Sequence, residues 1–487
     1  MPVLKSPRHG NEYYLVRFDG AGEECPEDDG TRTSRVLIEK LRTDNAITDI
    51  FVISHGWNND VNGAIRSYGS WIDTMADCAA DQDRARKADP NFKPVIVGIH
   101  WPSLAFGDET VPTDSHAETT ADLHELTAEA SLPTKTLVSR YAGRIADDDP
   151  LATEAVTAIL NSNSGIEVHR NPLEGAEPTY TVQVSRELKS SFDTLFELSG
   201  VGQDGAQAAP GSDTPEFQPH EVLQDAAAQG LLPRDSEAPA VDPALLGPVD
   251  WIGSKVREAA LLVLREMSFW RMKALARTVG ESGVHNLVQN LQGATQARFH
   301  MMGHSFGCIV ITAATCGPQS KAGFAGTTRR IDSLFLVQGA MSLWSFAEKD
   351  QITGLPDQVG FYQGMESGGL VKGPIVTTQS EHDWAVGKWY PLGAGLARQA
   401  VLFTAELPKY GGLGAYGIRG RSLPPDYDPD GPLLGENDDY DFSAGQIYNL
   451  EASAVIKKIN GPSGAHSDIA HPRVAHAFWA AAISSFS

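Results

Sequence analysis

The stretch of this chain best suited to chemistry is a Gly-x-Ser-x-Gly pentapeptide at residues 303–307. An apolar run, residues 299–302, precedes it, and residues 306–314 are rich in small side chains. This order predicts a strand, a sharp turn and a helix, with the Ser305 hydroxyl raised above the end of a sheet. The glycines let strand and helix pass closely, and the helix N-terminus adds a positive dipole. We therefore interpret Ser305 as a candidate nucleophile.

A serine hydroxyl needs a base to take its proton and a carboxylate to orient that base. In a parallel sheet, such groups belong at the carboxyl ends of strands, where the loops converge. Asp383 follows a strand predicted at residues 373–378, and His466 lies in a loop after the last predicted strand. The sequence therefore predicts a triad of Ser305, His466 and Asp383.

Other acids and histidines compete for these roles. Glu381 lies slightly off the same turn, and Asp332 begins a strand instead of ending one. His471 directly precedes the last predicted helix and could also reach the site, whereas His476 falls among the core residues of that helix. Asp468 is too near His466 in sequence to act as a separate orienting acid, and we interpret it as a turn or cap residue. Four further histidines are interpreted as structural and not as bases: His55, His100, His304 and His382.

Buried strands must position these side chains. Continuous apolar runs typical of strands buried on both faces occur at residues 12–18, 50–53, 94–100, 331–337 and 447–456. Helical spacing is found at residues 34–41, 64–78 and 251–279, and again after Pro472. Successive strand–helix–strand units predict an α/β fold with a mostly parallel, doubly wound sheet of about eight strands.

The strand–helix rhythm breaks in the middle of the chain. We predict a sheet-forming core from residues 1–103 and 251–487, interrupted by an inserted, mainly helical cap at 104–250. Helix-like segments occur at 121–130 and 153–160. Stretches rich in Gly, Pro, Ala, Asp and Ser predict mobile loops at residues 200–219 and 234–248. The alternative is a separate helical domain unconnected with the site.

The composition restricts the partners and the compartment. A formal net charge of −23 repels phosphate backbones and anionic membranes, so nucleic acid is not expected as a partner. No apolar stretch reaches the length of a signal peptide or membrane span, the longest being residues 259–264. Four dispersed cysteines are expected to be free thiols in a reducing compartment: Cys25, Cys78, Cys308 and Cys316. We expect a cytoplasmic protein without an integral membrane segment.

A second motif is the Asp-x-Asp-x-Asp-Gly start of a calcium loop, with Asp426, Asp428 and Asp430 as possible ligands. Its twelfth position is Asn437, where a calcium loop has a bidentate Glu, and no helices are predicted on either side. Several prolines also fit a rigid surface turn. We therefore favour a solvated acidic turn over a Ca²⁺ site, and the chemistry predicted for Ser305 requires no metal or cofactor.

The chain order Ser305, Asp383, His466 resembles that of the α/β-hydrolase superfamily. The resemblance covers about residues 12–101 and 299 to the end, but not the insertion. As in many esterases and lipases of the family, a His-Gly pair follows an early strand, here before Trp57. The resemblance implies an oxyanion hole made by the backbone N–H groups of Trp57 and Phe306. In many members, however, the cap follows the strand after the nucleophile, whereas here the insertion precedes the nucleophile strand.

The family resemblance implies a serine hydrolase that cleaves carboxylic esters through an acyl-enzyme. Its expected substrate is a small ester with an apolar acyl or alcohol group. The residues assigned to the substrate pocket are His55, Gly56, His304, Trp344 and Trp384. The same triad also serves acyltransferases, thioesterases and amidases, and a non-catalytic interaction protein with this fold is a further alternative. The sequence predicts neither the acyl chain length nor the oligomeric state.

Overall fold

A mixed sheet of nine strands forms the centre of the molecule. The computed structural model describes residues 3–57, 59–103, 132–162, 165–171, 179–200, 223, 248–320, 323–352, 357–389, 407, 411–422, 427–459 and 463–486. The strands within these ranges are β1 (Val3–Lys5), β2 (Glu12–Arg17), β3 (Asp49–Ser54), β4 (Pro94–His100), β5 (Ile166–Asn171), β6 (Thr179–Val184), β7 (Arg298–His304), β8 (Gln319–Ser320), β9 (Gly323–Phe324), β10 (Ser333–Val337), β11 (Ile375–Gln379), β12 (Asp430–Pro432) and β13 (Ile447–Glu451).

The large sheet has the strand order β1-β2-β4-β3-β7-β10-β11-β13-β12. Its neighbouring strands are parallel except for the β1–β2 pair, which is antiparallel. The predicted α/β class with a mostly parallel sheet is therefore confirmed, with nine strands where about eight were expected. Strands β1 and β12 have three residues each and are too short to produce an apolar pattern. The predicted last strand is also shorter, because a turn begins directly after Ala452.

Twelve α-helices lie within the described ranges. They are α1 (Thr33–Thr43), α2 (Val61–Asp77), α3 (Ala79–Ala88), α4 (Thr134–Ala146), α5 (Pro150–Asn161), α6 (Arg186–Ser199), α7 (Pro248–Val279), α8 (His285–Ala294), α9 (Gly307–Cys316), α10 (Gln363–Ser367), α11 (Leu413–Tyr416) and α12 (Pro472–Ile483). A π-helical turn, Gly280–Val284, joins α7 to α8, and a second one, Ala385–Trp389, directly follows Trp384. None of these helices combines the length and the apolar composition needed to cross a bilayer.

Both faces of the sheet are covered by helices. Successive residues of β3 alternate between two hydrophobic clusters, Ile50 and Val52 in one and Phe51 and Ile53 in the other. The first cluster includes residues of α1, α8 and α9, and the second includes residues of α2 and α12. Alternate side chains of a strand point to opposite faces, so burial of both sets requires helices on both sides. This arrangement is the doubly wound architecture predicted from the apolar strands.

Between β4 and β7 the described chain forms helices α4 to α6 and the antiparallel hairpin β5–β6. These helices share a third hydrophobic cluster with residues 259–264 and Met267 of α7. Further along α7, Met272 and Val279 belong to the cluster on the sheet. Helix α7 therefore contributes to two cores. The hairpin was not predicted, and the helix predicted at residues 121–130 lies outside the described residues, as do most residues of the two predicted mobile loops.

Candidate active site

Ser305 occupies a sharp turn between β7 and α9, as the pentapeptide predicts. Its φ of 56° lies in the left-handed region, which costs a non-glycine residue about 1–2 kcal/mol. Two backbone hydrogen bonds hold this conformation: the Ser305 N–H donates to the Val337 carbonyl at 3.2 Å, and the Ser305 carbonyl accepts from the Ala340 N–H at 3.2 Å. The turn is therefore fixed against the end of the neighbouring strand β10.

The two glycines of the pentapeptide are required by close backbone contacts. A Cβ atom on Gly303 would lie 2.4 Å from the Gly307 carbonyl carbon, and one on Gly307 would lie 2.3 Å from the Ser54 carbonyl oxygen. Such distances are shorter than real Cβ contacts, and the opposing atoms belong to rigid backbone. Because Gly303 and Gly307 have no Cβ atoms, the N-terminus of α9 can pack directly against the end of β3. The elbow at Ser305 thus lies beside the loop that begins at His55.

Asp383 and His466 form a buried hydrogen bond. The Nδ1 atom of His466 lies 2.7 Å from Asp383 Oδ2, and both side chains are almost fully excluded from solvent. Their loops are paired through the backbone, with an antiparallel bridge between Asp383 and Gly464 and a 2.7 Å hydrogen bond from the Ala465 N–H to the His382 carbonyl. Gly464 has a φ of 68° and no room for a Cβ, so this pairing depends on glycine.

His304 connects this pair to the elbow. Its Nε2 atom lies 3.0 Å from the carbonyl oxygen of His466, and the two imidazole rings are 5.1 Å apart between centroids. Because His304 directly precedes Ser305, the hydrogen bond ties the His466 loop to the strand that carries the serine. The structure therefore brings the three predicted triad residues to the carboxyl ends of β7, β11 and β13.

Gln338 is a part of the site that sequence reasoning did not identify. It follows β10, is fully buried, and its Nε2 donates to Asp383 Oδ2 at 2.7 Å. Its backbone is also left-handed, with a φ of 45°. The available signal was its position at the carboxyl end of the strand between those of Ser305 and Asp383. That position predicts that Gln338 lies at the same edge of the sheet as the triad, but it does not predict which group its side chain contacts.

The two residues predicted to form an oxyanion hole lie next to each other. The rings of Trp57 and Phe306 are 5.8 Å apart, and both contact Phe269 of α7, at 6.0 and 5.0 Å. Within the described part of the chain, the backbone N–H groups of Trp57 and Phe306 have no hydrogen-bond acceptor. Phe306 also precedes the first turn of α9, where the helix dipole favours negative charge. The ring contacts place the loop of Trp57 against the N-terminal end of α9, next to the elbow.

His55 orders the loop that carries Trp57. Its ring stacks on Trp101 at a centroid distance of 5.8 Å and an interplanar angle of 7°. Nδ1 lies 2.7 Å from the Gly56 carbonyl, and Nε2 accepts a longer hydrogen bond from the Trp101 N–H at 3.4 Å. Burial, with a contribution from His100, lowers the pKa of His55 to about 3. The ring is therefore neutral at physiological pH and supports the loop from within, where the sequence suggested a pocket residue.

The two tryptophans assigned to the pocket differ in position. Trp384 directly follows Asp383 and is partly buried, and it lies so close to Gly464 that a Cβ there would be 2.8 Å from its ring. Trp344 is fully buried in a small cluster with Leu343, Ala347 and Ile352. Trp384 thus borders the paired loops of the triad, whereas Trp344 packs into the protein behind the loop after β10.

The competing acids and histidines have other partners. His471 pairs with Asp468 at 2.9 Å, and Asp468 accepts the N–H groups of residues 457 and 458, so it acts as a local cap. His476 is buried within α12, and its Nδ1 lies 2.9 Å from an Asp81 oxygen. Asp332 accepts from the Phe299 N–H near the other end of β7. Glu381 is exposed and lies 3.6 Å from His382.

The thiol nearest to the elbow is not a competing nucleophile. All four cysteines are free, and Cys308, in the first turn of α9, is fully buried. Burial raises the pKa of the Cys308 thiol well above its ordinary range. Its Sγ also donates to the Gly303 carbonyl at 3.1 Å. Because the thiolate is the reactive form, Cys308 is an inert packing residue in this position.

In the acidic turn considered as a possible calcium loop, the carboxylates of Asp428 and Asp430 bind other groups of the protein. Asp430 Oδ2 lies 2.6 Å from Arg419 Nη1, and its Oδ1 accepts from Asn449 Nδ2 at 2.8 Å. Asp428 accepts from the Asp430 N–H at 3.0 Å, while Asp426 lies outside the described residues. Within the described ranges, no group of three His, Cys, Asp or Glu side chains could hold a metal ion.

The chain was compared with known protein families, curated proteins and solved structures. No model of a known protein family matches the chain, and neither curated proteins nor solved structures give a match. The assignment of a function therefore depends on the geometry of the site.

Proposed function

We propose that this chain is a serine hydrolase with the α/β-hydrolase fold, which cleaves small carboxylic esters through an acyl-enzyme intermediate. The observation that carries the proposal is the buried 2.7 Å hydrogen bond between His466 Nδ1 and Asp383 Oδ2, tied through His304 to the strained turn at Ser305. A buried carboxylate that orients a histidine, on a loop hydrogen-bonded to the strand that leads into a serine on such a turn, supports a role in acyl transfer.

In the proposed reaction, the hydrogen bond to Asp383 keeps the proton of neutral His466 on Nδ1 and leaves Nε2 as the acceptor. His466 Nε2 takes the proton of Ser305 Oγ while Oγ attacks the ester carbonyl carbon. The tetrahedral intermediate collapses when His466 returns that proton to the leaving alkoxide, which departs as the alcohol. A water molecule then attacks the acyl-enzyme by the same sequence, releasing the carboxylic acid and free Ser305.

The two N–H groups of Trp57 and Phe306 would bind the negative oxygen of the intermediate. Their lack of an acceptor within the described residues, and the position of Phe306 at the N-terminus of α9, support this role. The aromatic contacts among Trp57, Phe306 and Phe269 would place apolar surface beside the acyl carbon. We therefore propose a substrate with an apolar acyl or alcohol group, acted on in the cytoplasm without a metal or cofactor.

A fluorophosphonate probe, which phosphonylates activated serines, tests the proposal directly. We expect the wild type to be labelled and Ser305→Ala to lose both labelling and roughly four decades of esterase kcat. Ser199→Ala is the matched control, because it removes another buried serine hydroxyl, on α6, and is expected to remain labelled. Absence of labelling in the wild type, under conditions that label a known esterase, would favour a non-catalytic role.

A panel of p-nitrophenyl esters with short to long acyl chains then defines the substrate. Preference for short chains would indicate an esterase, and preference for long chains with activation at an interface would indicate a lipase. Addition of alcohol, thiol or amine acceptors to the same assay separates hydrolysis from acyl transfer, because transfer yields a new ester, thioester or amide in place of the free acid.

A further inference from the structure

We propose that Gln338 is a positioning residue of this site, whose side-chain amide holds the Asp383 carboxylate in the geometry that His466 requires. The inference deepens the proposed function and rests on it for its catalytic meaning. Gln338 is not expected to touch the substrate, because its side chain is fully buried and its amide nitrogen is occupied by Asp383.

The orientation of the Gln338 amide is determined by its partners. Nε2 lies 2.7 Å from Asp383 Oδ2 and 3.0 Å from the Gly414 carbonyl, so both of its hydrogens meet acceptors. Oε1 lies 2.8 Å from Thr378 Oγ1, which can donate to it. A flipped amide would place Oε1 against two acceptor oxygens and leave Nε2 beside the hydroxyl. The nitrogen therefore faces Asp383.

The backbone of Gln338 is held in a costly conformation that aims this side chain. Its φ of 45° is left-handed, and its N–H donates to Thr378 Oγ1 at 3.1 Å. Gly414 closes the arrangement, because a Cβ there would lie 2.7 Å from Asp383 Oδ2 and 2.8 Å from the Gln338 carbonyl carbon. Strained, fully buried residues of this kind persist where their surroundings determine them from several sides, and they concentrate at functional sites.

Gln338 and His466 donate to the same carboxylate oxygen. Asp383 Oδ2 accepts from both, while Oδ1 accepts from the Val386 N–H at 3.2 Å. These three donors hold the Asp383 side chain in one rotamer, so that its carboxylate cannot rotate away from His466. Because Gln338 shares Oδ2, it also withdraws part of the negative charge that would stabilise a protonated His466 ring. Asp383 and His304 are titratable groups that contact His466.

Two substitutions test this role by kinetics. Gln338→Leu removes the donor, and we expect kcat to fall about ten- to hundredfold with little change in KM, since a hydrogen bond to a charged group is lost. The acid limb of its kcat/KM profile should move to higher pH, because the unshared carboxylate stabilises protonated His466. Gln292→Leu is the matched control: Gln292 is equally buried and bonds the backbone of Arg329 away from the site.

Gln338→Glu preserves the shape and changes the charge. Two carboxyl groups at this distance share one proton, which can bridge them while Asp383 keeps its contact with His466. Loss of that proton at higher pH places two anions side by side. We therefore expect kcat/KM to gain a falling alkaline limb that the wild type lacks. A residue that only supports the fold would lower stability without creating a new ionisation in the profile.

Nuclear magnetic resonance of ring-labelled histidine provides a readout that does not depend on catalysis. The titration midpoint of His466 should be higher in Gln338→Leu than in the wild type and in Gln292→Leu, with all three proteins shown to be folded by their thermal melts. Unchanged His466 titration together with unchanged kcat would overturn the role of Gln338. A shifted titration in a protein that no fluorophosphonate labels would retain the positioning role and reject the hydrolase.

Discussion

Ser305 and Gln338 end neighbouring strands in the same unusual backbone conformation. Both are non-glycine residues with positive φ, and the Ser305 N–H donates to Val337, the residue before Gln338. The Gln338 N–H in turn donates to Thr378 of β11, so each strained residue is held by the next strand of the sheet. Such strain costs about 1–2 kcal/mol for each residue, which the surrounding hydrogen bonds must offset. Both strained residues therefore lie at the same edge of the sheet as the proposed site.

At the residue scale, His55 and His100 make the free energy of unfolding depend on pH. Burial lowers the pKa of His55 to about 3 and that of His100 to about 4, whereas the pKa of a histidine in an unfolded chain is about 6.5. Between these values the unfolded chain binds more protons, so the free energy of unfolding should fall as the pH is lowered from about 6.5. Urea unfolding across this range measures the slope. We expect His55→Gln and His100→Gln each to flatten it; slopes equal to the wild type would contradict buried neutral rings.

The contact between Asp383 and His466 could be predicted from chain order, because a parallel sheet gathers the residues that follow its strands at one edge. The role of Gln338 could not. Its partners depend on the lateral order of strands, with β10 between β7 and β11, and on a backbone conformation that a glutamine rarely adopts. His55 was interpreted from the sequence as a structural histidine and also assigned to the substrate pocket. Its position in sequence gives the loop, and the structure adds that its buried ring contacts Trp101 and Tyr68.

At the element scale, helix α9 is positioned by the missing side chain of Gly307. We expect Gly307→Ala to destabilise the protein by about 3 kcal/mol and to slow fluorophosphonate labelling, because its Cβ would meet the rigid carbonyls of Ser54 and His55. Gly293→Ala is the control, since a Cβ there, in α8, meets no atom within 4 Å. That change should stabilise the protein by about 0.5–1 kcal/mol. Similar labelling rates for both variants would show that close packing of α9 is dispensable.

The elements that could be predicted were those whose pattern arises from burial on both faces. Strand β4 was predicted with its observed bounds, and β3, β7, β10 and β11 within three residues at either end. The hairpin β5–β6 was not predicted; its Val182 is buried in the cluster formed with helices α4 to α6. Strand β12 forms by pairing with β13. Its own residues lie in a segment that was predicted as an irregular acidic turn, so its local sequence does not predict an extended backbone.

At the scale of the whole molecule, α7 connects the cluster of the inserted helices to the cluster on the sheet. Glu266, on this helix, is partly exposed, but desolvation of its carboxyl group raises its pKa to about 8, above the value of about 4.3 in an unfolded chain. The folded state therefore retains a proton that the unfolded chain releases, and stability should fall as the pH rises from about 4.3 towards 8. Together with His55 and His100, Glu266 confines maximal stability to an intermediate pH.

Glu266→Gln removes this ionisation while keeping a similar shape. We expect the variant to melt at a higher temperature than the wild type at about pH 8.5 and at nearly the same temperature at about pH 5. Thermal melts at the two pH values, followed by circular dichroism, measure the difference. An equal shift at both pH values would mean that packing, and not the proton on Glu266, accounts for the effect.

The backbone bridge between Asp383 and Gly464 has a mechanical consequence. Acid and imidazole are carried by two loops joined as one body, so a displacement of either loop moves both side chains together and preserves their mutual distance. The hydrogen bond between His304 and the His466 carbonyl fastens this joined pair of loops to the strand end that carries the serine. In the proposed hydrolase, a change in the length of that link would alter the separation of hydroxyl and ring while leaving the acid–imidazole couple intact.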